Sequence, residues 1–247
     1  MKVTLIHYTP SAVELLIFTK NTRLNMGPKL MEEIFDWSED KKMAELKYMS
    51  RTLPSSWEFV DLIFCIEDVT RAFTHQLVRT RTASYAQQAM RVVPMKGFGY
   101  TTGPSIKGPE QQAVYDSLMR TIQYGYDTLI ENGVQPEDAR GILPTNIHTN
   151  IVAKYNLRTF AELVRKRSSG RVQSEYAECL QLMIKEVLRV WSWAADFIND
   201  PKQQALDKLT EYFKQEMADE SVIDQCPLTE TKAWELLKEL DLIRGML

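Results

Sequence analysis

Between Asp68 and Glu110 the chain carries no acidic residue, although it holds Arg71, Arg79, Arg81 and Arg91. The protein as a whole has a formal net charge of -3, so this run is a local bias. A guanidinium stays charged and binds phosphate through two parallel hydrogen bonds. Several of them in a run without carboxylates point to a site for an anion with more than one phosphate or carboxylate. A solvated basic surface is the plainer alternative. Gln76, Ser84, Gln87, Gln88 and Ala89, rather than Lys and Glu, stand among these arginines, which favours a site.

The 247 residues suit one large domain or two small ones. Residues 2–8 and 59–69 read as strands, and 145–153 is open between helix and strand. Helices are expected over 11–21, 28–49, 71–78, 111–132, 136–143, 159–167 and 172–198. Two further amphipathic helices are expected over about 201–218 and 229–244. Residues 51–56 and 92–109 read as loops, the second holding four of the ten glycines. Helices follow the strands rather than alternating with them, so the fold class is α+β and helix-rich. The expected organisation is one domain over 1–198 and a helical C-terminal extension over 199–247.

The first residues turn polar too soon for a signal peptide, and no apolar run approaches the ~20 residues of a bilayer span. No membrane partner is expected. Cys65, Cys179 and Cys226 are odd in number and widely spaced, which argues for a reduced, cytoplasmic compartment without a disulfide framework. Cys65 and Cys179 sit in apolar runs and read as core rather than as nucleophiles. No His, Cys, Asp or Glu spacing resembles a metal site, so no metal is expected. Dinucleotide-fold, Walker-type and nucleophile-elbow motifs are missing, so any phosphate is held in another way.

A second cluster follows: Asp138-Ala139-Arg140 with Pro144, then Asn156-Leu157-Arg158, then Arg165-Lys166-Arg167 with Arg171, Gln173 and Glu175. On a helix Arg158, Glu162 and Arg165 share a face. The basic stretch 165–171 also allows a nucleic-acid patch. No nucleic-acid-binding signature accompanies it and the net charge opposes it, so no nucleic-acid partner is expected.

Taken in order, the two clusters resemble the flavin-dependent thymidylate synthases. The family's R-H-R…S…S-x-R-Y element is similar to Arg79-Thr80-Arg81 through Ser84 to Ala89-Met90-Arg91-Val92. Its D-A-R-x-x-L-P, N-x-R and L-R…A-Q-x-E elements look like residues 138–144, 156–158 and 166–175. The resemblance covers roughly 50–185. It implies an α+β fold with a small, mostly antiparallel sheet and a homotetramer with shared active sites. It further implies FAD as cofactor, methylenetetrahydrofolate as carbon donor, NADPH as reductant and dUMP as the substrate converted to dTMP.

Carried over by position, Ser55, Glu58, Arg79, Thr80, Arg81, Asn156, Arg158, Glu162 and Arg171 fall on the flavin side. Gln76, Gln87, Gln88, Ala89, Arg91 and Arg140 fall on the nucleotide side, chiefly at its phosphate. Arg167 matches the arginine that reads the pyrimidine and steadies charge on it, which makes it the catalytic residue. The chain departs from the pattern at Thr80, Ala89 and Val92, where the family has His, Ser and Tyr. Leu53 and Phe59 stand for two further histidines, and Glu162 for an Asn. These changes mark a divergent member, viral or cellular, acting in the cytoplasm, that of the host if viral. They keep a second reading open, in which UMP or dCMP is methylated or hydroxymethylated. A non-catalytic nucleic-acid-binding protein is the remote third.

Overall fold

The computed structural model describes residues 1–52, 54–167 and 172–199. Leu53, Arg171, Cys226 and the expected helical extension past Asn199 lie outside the described residues. In chain order the elements are β1 (Lys2–Tyr8), α1 (Ala12–Lys20), α2 (Pro28–Phe35), α3 (Glu39–Met49), a 3-10 turn (Pro54–Phe59), β2 (Asp61–Thr70) and α4 (Arg71–Leu77). Then come β3 (Ser84–Gln87), α5 (Pro109–Glu131), α6 (Pro136–Ala139), a 3-10 turn (Arg140–Ile142), β4 (His148–Asn156) and α7 (Leu157–Arg167). The last are α8 (Ser174–Val190), a 3-10 turn (Ser192–Ala194) and α9 (Ala195–Ile198).

The strands form one sheet in the order β1-β2-β4-β3, and every neighbouring pair is antiparallel. The expected α+β class with a small antiparallel sheet is therefore the observed one. β2 and β4 lie at its centre, with Phe64 opposite Ala153 and Asp61 opposite Asn156. Alternation decides which side is buried. Leu62, Phe64 and Ile66 of β2 and Ile151, Ala153 and Tyr155 of β4 face the helices and are inaccessible or nearly so. Phe64 stacks on Phe160 of α7 with ring centroids 5.6 Å apart and meets Tyr155 edge-on at 6.2 Å. A second, smaller core gathers Met95, Phe98, Met119, Tyr126, Ala139 and Ile147 beneath α5.

Several expectations need correction. The single helix expected over 28–49 is two. Ser38 opens α3 by accepting a hydrogen bond from Lys41 N–H at 3.4 Å, with Glu39 and Asp40 in its first turn. Lys42 reaches back to the Phe35 carbonyl at 3.1 Å and is neutralised by Glu14 at 2.8 Å. That satisfies the end of α2 without continuing the helix. Residues 54–59 form a 3-10 turn rather than a plain loop. The open segment 145–153 resolves as strand β4. α7 begins at Leu157, because the Asn156 side chain accepts from Thr159 N–H at 2.8 Å and starts the helix early.

The long helix expected to Ile198 ends at Val190. Beyond it Trp191 stacks on Trp193 at 5.2 Å, and Phe197 packs on Trp57 at 4.9 Å, so aromatic burial overrides helix continuation. On α5 the expected apolar side is only partly right. Tyr126 is buried, whereas Val114 and Leu118 are 62% and 59% exposed and Met119 is buried instead. β3 has no counterpart in the sequence reading. It is short and polar, and pairing with β4 is what makes it a strand.

Phe64→Ala removes the ring at the sheet–helix contact. We expect urea unfolding to show a loss of about 3–5 kcal/mol, as for other buried Phe truncations.

Candidate active site

α4 carries the acid-free run off the end of β2 and onto the sheet edge. Thr70 caps this helix by accepting from Phe73 N–H at 3.0 Å. Its first free amides, Arg71 N–H and Ala72 N–H, donate to the carbonyls of Ile147 and Thr145 at 3.1 and 2.8 Å. The start of α4 is thereby seated on the segment that follows Arg140. Past α4, Tyr85 of β3 donates to the Leu77 carbonyl at 2.8 Å and fixes the turn between them. Residues 79–82 are left projecting at the mouth of a cleft.

That cleft has a volume of about 320 Å³. Arg79, Thr80, Arg81 and Thr82 form one wall; Thr159, Glu162, Leu163, Lys166 and Arg167 of α7 form the other. Two arginine clusters separated by some 80 residues of sequence thus meet across one cavity. Four cations face one carboxylate, and no ion pair joins Arg79, Arg81 or Arg167 to an acid among the described residues. The guanidinium of Arg167 lies 5.0 Å over the ring of Tyr176. Burial raises the Tyr176 phenol to about 12, so it stays protonated and leaves the charge of Arg167 uncompensated.

A second grouping lies at the other end of α4. Arg91 Nε pairs with Glu137 at 2.7 Å, and Arg140 Nε donates to the Glu137 carbonyl at 3.1 Å. Arg71 stands close by: burial, and then the like charge of Arg140, hold its guanidinium below the ordinary arginine value. Arg71 Nη1 is buried without a hydrogen-bond partner among the described residues. Three arginines therefore gather around Glu137; only Arg91 meets its carboxylate, Arg140 takes its backbone carbonyl, and Arg71 presents an unsatisfied donor. An anionic ligand is the chemical complement of that arrangement.

Not every residue singled out in the sequence is free to bind. The acid-free run is not free of carboxylate partners, since Glu137 of α6 reaches Arg91. Arg158 is held by Glu58 at 2.6 Å and Glu162 at 3.2 Å, and the first of these bonds is the main reason its guanidinium is held above its ordinary value. Lys166, not Arg165, is the third member of the Arg158–Glu162 group, at 3.5 Å. Arg165 instead donates to the Phe197 carbonyl at 3.0 Å. Asn156 spends its side-chain carbonyl on the cap of α7.

Gln76 donates to Gln173 at 2.6 Å and Gln87 to Thr74 at 2.9 Å, so these two amides tie elements together. Gln88 N–H donates to the Asn150 carbonyl at 3.0 Å, and the Ala89 carbonyl accepts from Val93 N–H at 3.0 Å in the turn that presents Arg91. Ser55 is exposed in the 3-10 turn. Arg71, Lys166 and Tyr176 were missed as site residues. Arg71 had a signal, since it opens the acid-free run; Tyr176 had none, because its role depends on packing.

Among the described residues no three His, Cys, Asp or Glu side chains gather as a metal site, and no helix is long and apolar enough to cross a membrane. Cys179 is 1% exposed, and burial pushes its thiol up to about 12.

Fold and cleft together define an α+β protein whose cationic cleft is assembled from basic side chains of two distant segments. The thymidylate synthase complementing protein family matches residues 4–191. A flavin-dependent thymidylate synthase of Clostridium tetani is 32% identical over 209 residues, covering 77% of this chain and 83% of its own. One from Geobacter sulfurreducens is 30% identical over 194 residues, covering 77% and 82%. Among solved structures, the UMP/dUMP methylase PolB of Streptomyces cacaoi, bound with 5-Br dUMP, has a TM-score of 0.62 at 16% identity. It covers 79% of this chain and 93% of that one, and shares the fold. The chain belongs to the flavin-dependent thymidylate synthase family.

The buried thiol yields a prediction. Iodoacetamide at pH 7.5 should leave Cys179 of the native protein unlabelled by mass spectrometry, and labelling should require denaturant. The unfolded thiol ionises near ~8.5 while the folded one keeps its proton to about 12. The unfolded state therefore releases its proton first, and this group's stabilisation is lost as pH rises through that window. Cys179→Ala should flatten the alkaline part of the stability profile.

Proposed function

We propose that this protein is an FAD-dependent thymidylate synthase that converts dUMP to dTMP, with methylenetetrahydrofolate as carbon donor and NADPH as reductant. The observation that carries the reading is the cleft in which Arg79, Arg81, Lys166 and Arg167 face the single carboxylate of Glu162. The family of the chain supplies the rest. The donor set fits FAD: a cationic surplus for a diphosphate, the hydroxyls of Thr80, Thr82 and Thr159 for polar atoms, and Leu163 as an apolar wall. FAD, when bound, supplies the reducing equivalents that turn the transferred carbon into a methyl group.

The protein's own residues divide the work. Arg71, Arg91 and Arg140 hold the nucleotide phosphate, the unsatisfied Nη1 of Arg71 finding there the acceptor it lacks. Arg167 meets the pyrimidine. Its positive charge stabilises negative charge developing on the ring oxygens and N3 as C5 becomes nucleophilic. Cys179 takes no part, since a buried thiol with so high a pKa cannot supply a thiolate near neutral pH. Arg158 and Lys166 with Glu58 and Glu162 form a charge-balanced group beside the flavin that shapes the cleft.

We further read the protein as a homotetramer with shared sites, acting in the cytoplasm. The outward residues Val114, Leu118 and Tyr124 of α5 support assembly, Tyr124 being 75% exposed. The second reading, methylation or hydroxymethylation of UMP or dCMP, draws on Thr80, Ala89 and Val92, which depart from the family pattern. It also draws on the relative that acts on both UMP and dUMP.

Purified protein should show flavin absorbance in the visible, and dUMP should perturb it. Colourless protein that fails to take up added FAD would refute the reading. Product mass from single nucleotides separates the two substrates. Arg167→Ala should cut turnover by about 100-fold or more, the scale set by removing one charge-stabilising donor, while FAD stays bound. Arg71→Ala should weaken dUMP binding by roughly 10- to 100-fold in a titration followed by flavin absorbance, the scale of one to two charge-assisted hydrogen bonds.

A further inference from the structure

α4 carries residues of the nucleotide side, and Arg167 ends α7, each beyond the strand that delivers it. Both are referenced to the first turn of α8. Gln173 accepts from Gln76 of α4 at 2.6 Å. Tyr176 packs on Phe73 of α4 with ring centroids 5.3 Å apart, and its other partner is Arg167. Between them Glu175, 9% exposed, directs both carboxylate oxygens at Thr70. One accepts from Thr70 N–H at 2.7 Å, and the other from the Thr70 hydroxyl at 2.5 Å.

Those two bonds do more than tie α8 to β2. A hydroxyl has one proton and two lone pairs. With its proton given to Glu175, the Thr70 oxygen can only accept, and it accepts from Phe73 N–H at 3.0 Å. A carboxylate 105 residues away in sequence therefore completes the N-cap of α4. No cation pairs with Glu175 among the described residues, so the amide and hydroxyl at the start of α4 are its hydrogen-bond partners. The negative charge also lies where the dipoles of α4 and α8 favour it.

We propose that Glu175 is a positioning residue: acting through Thr70, it holds α4 at the height at which Arg71 faces the nucleotide that Arg167 reads. The inference rests on the nucleotide-binding reading of the site given above. It makes the Glu175–Thr70 pair the joint between the phosphate-holding and base-reading halves.

The test compares wild type with Thr70→Val, Thr70→Ser and Glu175→Ala, measuring FAD and dUMP affinity separately and following amide hydrogen exchange without ligand. Valine keeps the shape and the N–H but removes the hydroxyl. Thr70→Val and Glu175→Ala should weaken dUMP by about tenfold while FAD affinity changes by less than about threefold. Both should speed exchange at Phe73. Thr70→Ser should restore wild-type values. Ile34→Ala, which truncates a buried side chain of α2 away from this joint, controls for a fall in Tm of similar size. If that variant loses dUMP affinity equally, or if Thr70→Val binds dUMP as wild type does, the positioning role is overturned. Wild type that binds FAD and dUMP while Phe73 exchange stays unchanged in Glu175→Ala also overturns it. Wild type that binds neither ligand overturns the site reading, and this inference with it.

Discussion

Antiparallel pairing of β2 with β4 is the constraint on which the rest of the molecule hangs. It brings residues 61–70 against 148–156, and each strand delivers its own helix to the same side of the sheet. β2 runs straight into α4 and β4 straight into α7, so the two arginine clusters arrive at one cleft. The central strands carry the core as well: Phe64, Tyr155 and Phe160 pack where strand becomes helix. Packing and site geometry therefore share a cause. A slip of one residue between β2 and β4 would turn Phe64 outward and separate the clusters together.

Charge in the site is sorted by whether a carboxylate is in reach. Arg91 and Arg158 are paired with carboxylates. Arg71 and Arg167 meet no carboxylate, one held beside Arg140 and the other over a protonated tyrosine. Uncompensated guanidinium groups in partly desolvated positions are costly in an empty protein and favourable once an anion arrives. This is the arrangement expected of a flavin-dependent enzyme whose ligands are anionic.

Much of this was legible in the residues. The acid-free run, the Asp138-Ala139-Arg140 element and Arg167 were readable because charge and short motifs survive without tertiary context. β1, α4 and α8 announced themselves by composition and periodicity. β3 did not, since Ser84–Gln87 is polar and becomes a strand only through its partner. The break between α2 and α3 was written locally in Ser38, Glu39 and Asp40, but helical periodicity on both sides masked it. Val114 and Leu118 read as core because periodicity marks an apolar face without saying what covers it.

By itself the sequence determined the fold class, the family and the residue types available for binding anions. Those properties depend on local composition and on motifs whose order along the chain is preserved. Only the tertiary structure decided which arginines remain unpaired, because a carboxylate from anywhere in the chain can neutralise a cation within a few ångströms. It showed Glu137 on Arg91, Glu58 on Arg158 and an open donor on Arg71. It also set Glu175 against Thr70, a contact that no spacing along the chain could reveal.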